Sequence, residues 1–214
     1  MTKQGLLEQI AGAKGPVRTI EVLLLMDDLI QREALLAGEI GPEQVDLAVL
    51  GLNAADPEPI LPAFLLPDDP SDGQDNPRLA VDAIWSRYFY RAAQVAKGTG
   101  SQFLKGWVGF EVGLRNAVAT ARAQGLDLDP AAYLVAPELG DRDQDFSAVV
   151  SAWSSAADPL AGQEVLDKAR WEWVEEHGRW FSFKADEIEA YAAKLILLHR
   201  WRRLLAERPG QIKV

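Results

Sequence analysis

The chain contains no cysteine. That single absence excludes disulfide staples, thiolate-built zinc sites and thiol nucleophiles, and it is compatible with a reducing cytoplasm. Long hydrophobic runs are missing too. The most tempting, VLLLM at Val22 to Met26, falls far short of the roughly 20 residues that a spanning helix needs. The opening residues MTKQGLLEQIAGAKG lack an apolar signal core followed by a small-residue cleavage site, so export is not expected. Histidine is scarce, with only His177 and His199. Neither belongs to an HExxH-type pair, so both read more readily as core-edge or solvent-facing residues than as ligands or bases. Strand patterning is also absent, with no period-two run closed by tight hairpin residues.

The 214 residues, 48% hydrophobic and 25% charged, have ordinary globular composition and enough length for a core. A net charge of −10 disfavours general binding to nucleic acid phosphates or an anionic lipid surface. The charge is uneven. From Lys194 onward stand six basic residues, among them Arg200, Arg202 and Arg203, against the lone acid Glu207. Such an end could dock on an acidic partner, or simply complement the negative pole of a terminal helix.

Prolines divide the chain. Half of the 12 fall between Pro57 and Pro77, in DPEPILPAFLLPDDPSDGQDNP, where no useful helix can propagate. This connector (57–77) separates N-terminal helices (1–56) from a main bundle (78–214), and together they read as one continuous globular unit. Its aliphatic patch ILPAFLL is expected to lie partly across the helices, with a docking segment for another protein as the alternative.

Helical signals account for most of the rest. A weak helix near Gln4–Ala13 precedes one over Thr19–Ala37, closed by Gly38. A second main helix is expected from Pro42 to Gly51. Asp27 and Asp28 interrupt the first, and adjacent residues on a helix diverge, so they share no proton or metal without help from elsewhere. Asn76-Pro77 opens a helix through Lys97, and Ser101 caps one that Gly125 stops. In the latter, Phe103, Trp107, Phe110, Leu114, Ala117 and Ala121 recur at spacings of four and three, a long packing seam. Beside it Gly106, Gly109 and Gly113 form a bare row that suits close helix-on-helix approach. A turn at Pro130–Val135, a helix over Asp145–Trp153, one from Asp158-Pro159 to His177 and a last one capped by Ser182 complete the reading. In that last helix Ile188, Tyr191, Leu195, Leu198 and Leu205 are expected on the packed stripe. The fold class is all-α, antiparallel helical bundles with one long connector.

Catalytic signatures fail one by one. DRDQD at Asp141–Asp145 resembles a calcium loop, but Phe146 stands where glycine is needed and Ala152 where a bidentate Glu belongs. GTGSQFLKG at Gly98–Gly106 has no preceding strand and no Gly-Lys-Ser/Thr end, so it supports neither a dinucleotide site nor a P-loop. Trp171, Trp173 and Trp180 read as packing residues. No catalytic, cofactor-binding or metal residues are assigned, and the chain is read as a non-enzyme. Arg115 and Asn116, inside an Ala-rich helix, read instead as an interhelix clamp. Asn116 sits one residue off the seam, where its amide could bridge to a neighbouring helix, while Arg115 could reach an acid.

Two segments carry a family resemblance. RWEWVEEHGRWFSFKADEIEAYAAKLILLHRWRRLLAERPG, Arg170 to Gly210, resembles the C-terminal signature of bacterial proteins encoded with V/A-type ATPases, themselves similar to the central-stalk component known as C in archaea and d in eukaryotes. FEVGLRNAVATARAQGLDLDPAAYL, Phe110 to Leu134, is similar to that family's Glu-x-x-Leu-Arg-Asn helix and the turn after it, through Glu111, Leu114, Arg115, Asn116, Arg122, Ala123, Tyr133 and Leu134. VRTIEVLLLMDDLIQREALLAGEI is similar, less specifically, to its first aliphatic helix. The resemblance implies a fold like that of the C/d component of V-type ATPases and a non-catalytic central-stalk adaptor coupling the soluble motor to the membrane ring. Its implied partners are the central axle and the membrane rotor ring, which place it in the cytoplasm and at the membrane only through those partners. The chain is shorter than the full C/d component, and the Asp-containing motif accompanying the Asn is not reproduced cleanly. A stand-alone helical interaction module is the other expectation. On either reading Arg115, Asn116, Arg122, Arg200, Arg202 and Arg203 are the interface or clamp candidates.

Overall fold

The structure, a computed structural model, describes residues 1–12, 16–53, 58–67, 77–178 and 184–206. Among these, seven α-helices follow in order: α1 (Lys3–Ile10), α2 (Pro16–Leu36), α3 (Pro77–Thr99), α4 (Gln102–Gly125), α5 (Ser147–Ser154), α6 (Pro159–His177) and α7 (Ala185–Ala206). The long helices start and stop on local chemistry. Ser101 Oγ accepts the Leu104 N–H at 2.9 Å to open α4, and Asp158 Oδ1 accepts that of Ala161 at 2.8 Å to open α6. Gly38 (φ +73°) and Gly100 (φ +74°) take the left-handed conformation just beyond α2 and α3 that other residues resist. The proposed caps Asn76 and Ser182 lie outside the described residues.

Four helices close a ring, α2 on α3, α3 on α4, α4 on α7 and α7 back on α2. The inner wall is the predicted aliphatic face of α2 (Ile20, Leu23, Leu24) meeting Trp85, Tyr88 and Phe89 of α3 and the α4 seam. α1 lies over α2 and α7, while α6 packs on α7 and carries α5 on its outer side. Trp173 of α6 enters the seam of α4, with ring centroids 5.5, 5.4 and 5.5 Å from Phe103, Trp107 and Phe110. His177 stacks on the same Trp173 at 4.1 Å, so it is an edge residue of this aromatic column.

The structure corrects several expectations. The segment after Pro42 forms a single 3-10 turn (Pro42–Gln44), then runs extended into a two-residue strand, Gly51–Leu52, paired antiparallel with Pro59–Ile60. The reason is competition for donors. Asp28 of α2 takes the N–H groups of Ala48, Val49 and Leu50 at 3.0, 2.7 and 2.9 Å. Gln31 takes that of Asp46 at 2.8 Å. Donors bound by α2 side chains are unavailable for helical bonds.

The glycine row of α4 does permit close approach, but not by one helix. Gly106 faces Trp173, Gly109 faces Leu139 and Asp141, and a Cβ at Gly113 would come within 2.5 Å of the Phe146 ring. Two of the three therefore receive the loop before α5. The stripe expected on α7 holds only in part, at buried Leu195 and at Ile188, which packs against the core. Tyr191, Leu198 and Leu205 are exposed, whereas Glu189, Ala190, Ala192, Ala193, Ile196 and Leu197 are buried. α7 is packed by α1, α2, α4 and α6, so alanines turn inward where helices meet, beside Leu195, Ile196 and Leu197. Within the connector, a 3-10 turn (Ala63–Leu65) rests on α3 with Leu65 fully buried. Arg91 covers the Phe64 ring at 5.3 Å. No helix of the described residues is long and apolar enough to cross a membrane.

Candidate functional site

The interior holds charge as well as hydrocarbon. Lys3, the first residue of α1, has no exposed surface and places Nζ 2.7 Å from Asp27 Oδ2 and 3.6 Å from Asp28 Oδ1, while also donating to the Asp46 carbonyl. The adjacent aspartates diverge as helix geometry requires, and a third residue from another helix spans them. Arg203 of α7 donates to the other Asp27 oxygen at 3.1 Å. Burial by itself raises the Asp27 pKa, but the positive charges of Lys3, Arg203 and Arg200 outweigh it and hold the carboxyl below its usual range. Asp28 goes the other way. Burial raises it despite the three backbone donors and the Lys3 charge.

A second set joins α4, α6 and α7. Asp167 Oδ1 accepts from Arg170 Nη1 at 3.1 Å and from Arg200 Nη1 at 2.9 Å. Arg170 also grips Glu111 with two parallel bonds of 2.8 and 3.1 Å, the fork geometry that makes arginine–carboxylate pairs strong. Burial lowers the Arg170 pKa, yet Glu111 and Asp167 more than offset it and keep it above the ordinary value. Farther along, Ser101 donates to buried Glu189 at 2.6 Å, tying the cap of α4 to α7. Glu189 is nonetheless raised, because its burial outweighs its hydrogen bonds from Ser101 and Thr19.

Above these networks opens a cleft of about 1240 Å³ between α2, the last turns of α4, α6 and α7. Of the six residues singled out by sequence, it gathers Arg115, Arg122, Arg200 and Arg203, and adds Arg170. Arg115 sits 4.6 Å over the Trp85 ring and 3.6 Å from Asp82. Burial lowers its pKa against the nearby Glu33 and Asp82. Arg122 lies over Trp153 at 5.1 Å. Arg202 is exposed and does not line the cleft.

Asn116 also lies apart. Its amide donates to the Val135 carbonyl and accepts the Val135 N–H, both at 2.9 Å. The element it holds is the loop after the Pro130–Tyr133 turn, not a helix, because the sharp bend at Ala136 (φ +43°) presents Val135's backbone to α4. Sequence reasoning passed over Lys3, Asp167, Arg170 and the buried role of Asp27. The available signal was acids set inside an apolar face, since Asp27-Asp28 falls between Met26 and Leu29, both buried.

Asp27, Asp28, Glu111 and Asp167 are each held by a cation or a backbone donor. Among the described residues no group of three His, Cys, Asp or Glu side chains is placed to hold a metal. The cleft gathers guanidinium groups of the kind that bind anionic groups.

No curated protein and no solved structure matches this chain. One family profile does match, that described as "Protein of unknown function (DUF2764)", over residues 64–212. That stretch takes in the Leu65 anchor, the α4 seam, the cleft arginines and all of α7, and the chain belongs to the DUF2764 family.

Proposed function

We propose that this chain is a non-catalytic adaptor of a V/A-type rotary ATPase, working with the central axle and the membrane rotor ring. The support is the resemblance of Phe110–Leu134 and Arg170–Gly210 to proteins encoded with such ATPases. The observation that carries it is that these two segments are joined by the Glu111–Arg170 fork, so the resembling residues meet in one doubly hydrogen-bonded joint between α4 and α6. A part that transmits torque needs stiffness of this kind more than it needs a reaction centre.

The test is purification of the tagged, full-length protein from its own host under gentle conditions. Axle or ring proteins enriched with it support the proposal. A monodisperse protein that enriches neither sinks it. A second reading, a stand-alone helical interaction module, draws on the connector, where Ile60, Phe64 and Leu66 stay exposed around the buried Leu65 anchor. Enrichment of an unrelated protein, lost when Phe64 is changed to Ser, would favour that reading.

A further inference from the structure

Two arginines share one aspartate, and only one of them has its remaining face occupied. Arg170 and Arg200 each give Nη1 to Asp167 Oδ1. Arg170 then turns its Nε–Nη2 edge to the two oxygens of Glu111. Among the described residues the same edge of Arg200 has no partner, and neither has Nη1 of Arg203, whose Nη2 is held by Asp27. Arg200 is only 6% exposed, and buried donors without partners are rare in folded proteins. Both arginines line the cleft. An Nε–Nη2 edge is a pair of parallel donors spaced for two oxygens of one anionic group. Asp167, which does not itself line the cleft but accepts from Arg200 Nη1, adds a constraint, because among the described residues its Oδ2 is a buried acceptor without a partner.

We propose that Arg200 and Arg203 form an oxyanion site in the wall of the arginine-lined cleft, suited to a phosphate group that keeps one hydroxyl proton. Two phosphate oxygens take the Arg200 edge, Arg203 Nη1 supplies a third donor, and the P–OH donates to Asp167 Oδ2. The guanidinium must swing toward the cleft opening to receive the ligand, while Nη1 stays on Asp167. A plain carboxylate satisfies the arginines but leaves Asp167 Oδ2 facing an anion. The site therefore favours hydrogen phosphate or a phosphate monoester over acetate.

Calorimetric titration of the full chain with inorganic phosphate, O-phosphoserine and acetate at constant ionic strength tests this. Saturable phosphate binding is expected, weakened at least about tenfold by Arg200→Lys, which keeps the charge but loses the paired edge. The variant Arg202→Lys, at an exposed residue outside the cleft, should bind as the parent does. Binding of phosphoserine as well points to a phosphorylated ligand, and inorganic phosphate alone to the free ion; both support the site. Should Arg200→Lys fail to fold, Arg203→Gln, at a side chain 21% exposed, carries the same expectation. No saturable phosphate binding, acetate binding as tight as phosphate, or phosphate binding unchanged in both Arg200→Lys and Arg203→Gln overturns it. Association with rotary-ATPase proteins is a separate readout, so either proposal can fail alone.

Discussion

The two ends of the α7 interface are stabilised by opposite means. Toward the start of α7 the neighbouring α4–α6 contact is aromatic, a column from Phe103 through Trp107 and Trp173 to His177. Toward its end, α7 meets α1, α2 and α6 through Lys3, Asp27, Asp167, Arg200 and Arg203. The Phe and Trp rings carry no titrating charge and draw on burial and ring geometry. A buried ion network requires every partner, because a charge left alone in the interior costs more than the pair contributes.

That contrast can be broken most severely at its charged end. Asp27→Ala removes the carboxylate that Lys3 and Arg203 share, leaving Lys3 to Asp28 and the Asp46 carbonyl, and should cost about 3–5 kcal/mol, measured by urea unfolding at neutral pH. Its pH signature is equally specific. The depressed Asp27 carboxyl contributes stability that is complete above its ordinary value of 3.8 and is lost as pH falls through the lower folded value. Asp28 and Glu189 have raised values, so their ionisation opposes folding and is relieved as pH falls through their folded values. The parent should gain stability on mild acidification and lose it below pH 3.8; the Asp27→Ala variant should show a smaller acid loss, since the lowered carboxyls of Glu138 and Asp145 remain.

Trp173→Ala attacks the aromatic end on a comparable scale, about 3–5 kcal/mol. Here the whole pH–stability curve should move down in parallel; a changed shape would show that the two regions are coupled. Asn116→Ala leaves the Val135 N–H and carbonyl unpaired and should cost about 1–3 kcal/mol in thermal melts. Unchanged melting would mean that solvent replaces the amide. Arg122→Ala, at an exposed cation–π contact, should cost about 0.5–1 kcal/mol, near the resolution of denaturant titration.

The same contrast separates what the sequence discloses from what it conceals. The aromatic seam of α4 was legible, because Phe103, Trp107, Phe110 and Leu114 repeat at helical spacing and all four are buried. Caps at Ser101 and Asp158 were legible because the bond each makes is local. The stretch from Val45 to Leu50 was misread as a helix because the acceptor for its N–H groups is Asp28, some twenty residues away. The inward face of α7 was legible at Leu195 and Ile188 and missed at its alanines, weak signals of burial that face four neighbouring helices. Of the candidate site, the individual arginines stood out by charge, but their convergence on one cleft depends on how α4, α6 and α7 pack, and spacing along the chain carries no record of it.

The Asp28 carboxylate binding three consecutive peptide groups has a kinetic meaning. Ala48, Val49 and Leu50 have their amide hydrogens held by one side chain that exists in place only once α2 is wound. Those three hydrogens should therefore exchange with solvent as a cooperative triplet, at the rate at which α2 opens rather than that of a surface loop. A segment without helical structure would then report, amide by amide, on the unwinding of a helix to which it does not belong.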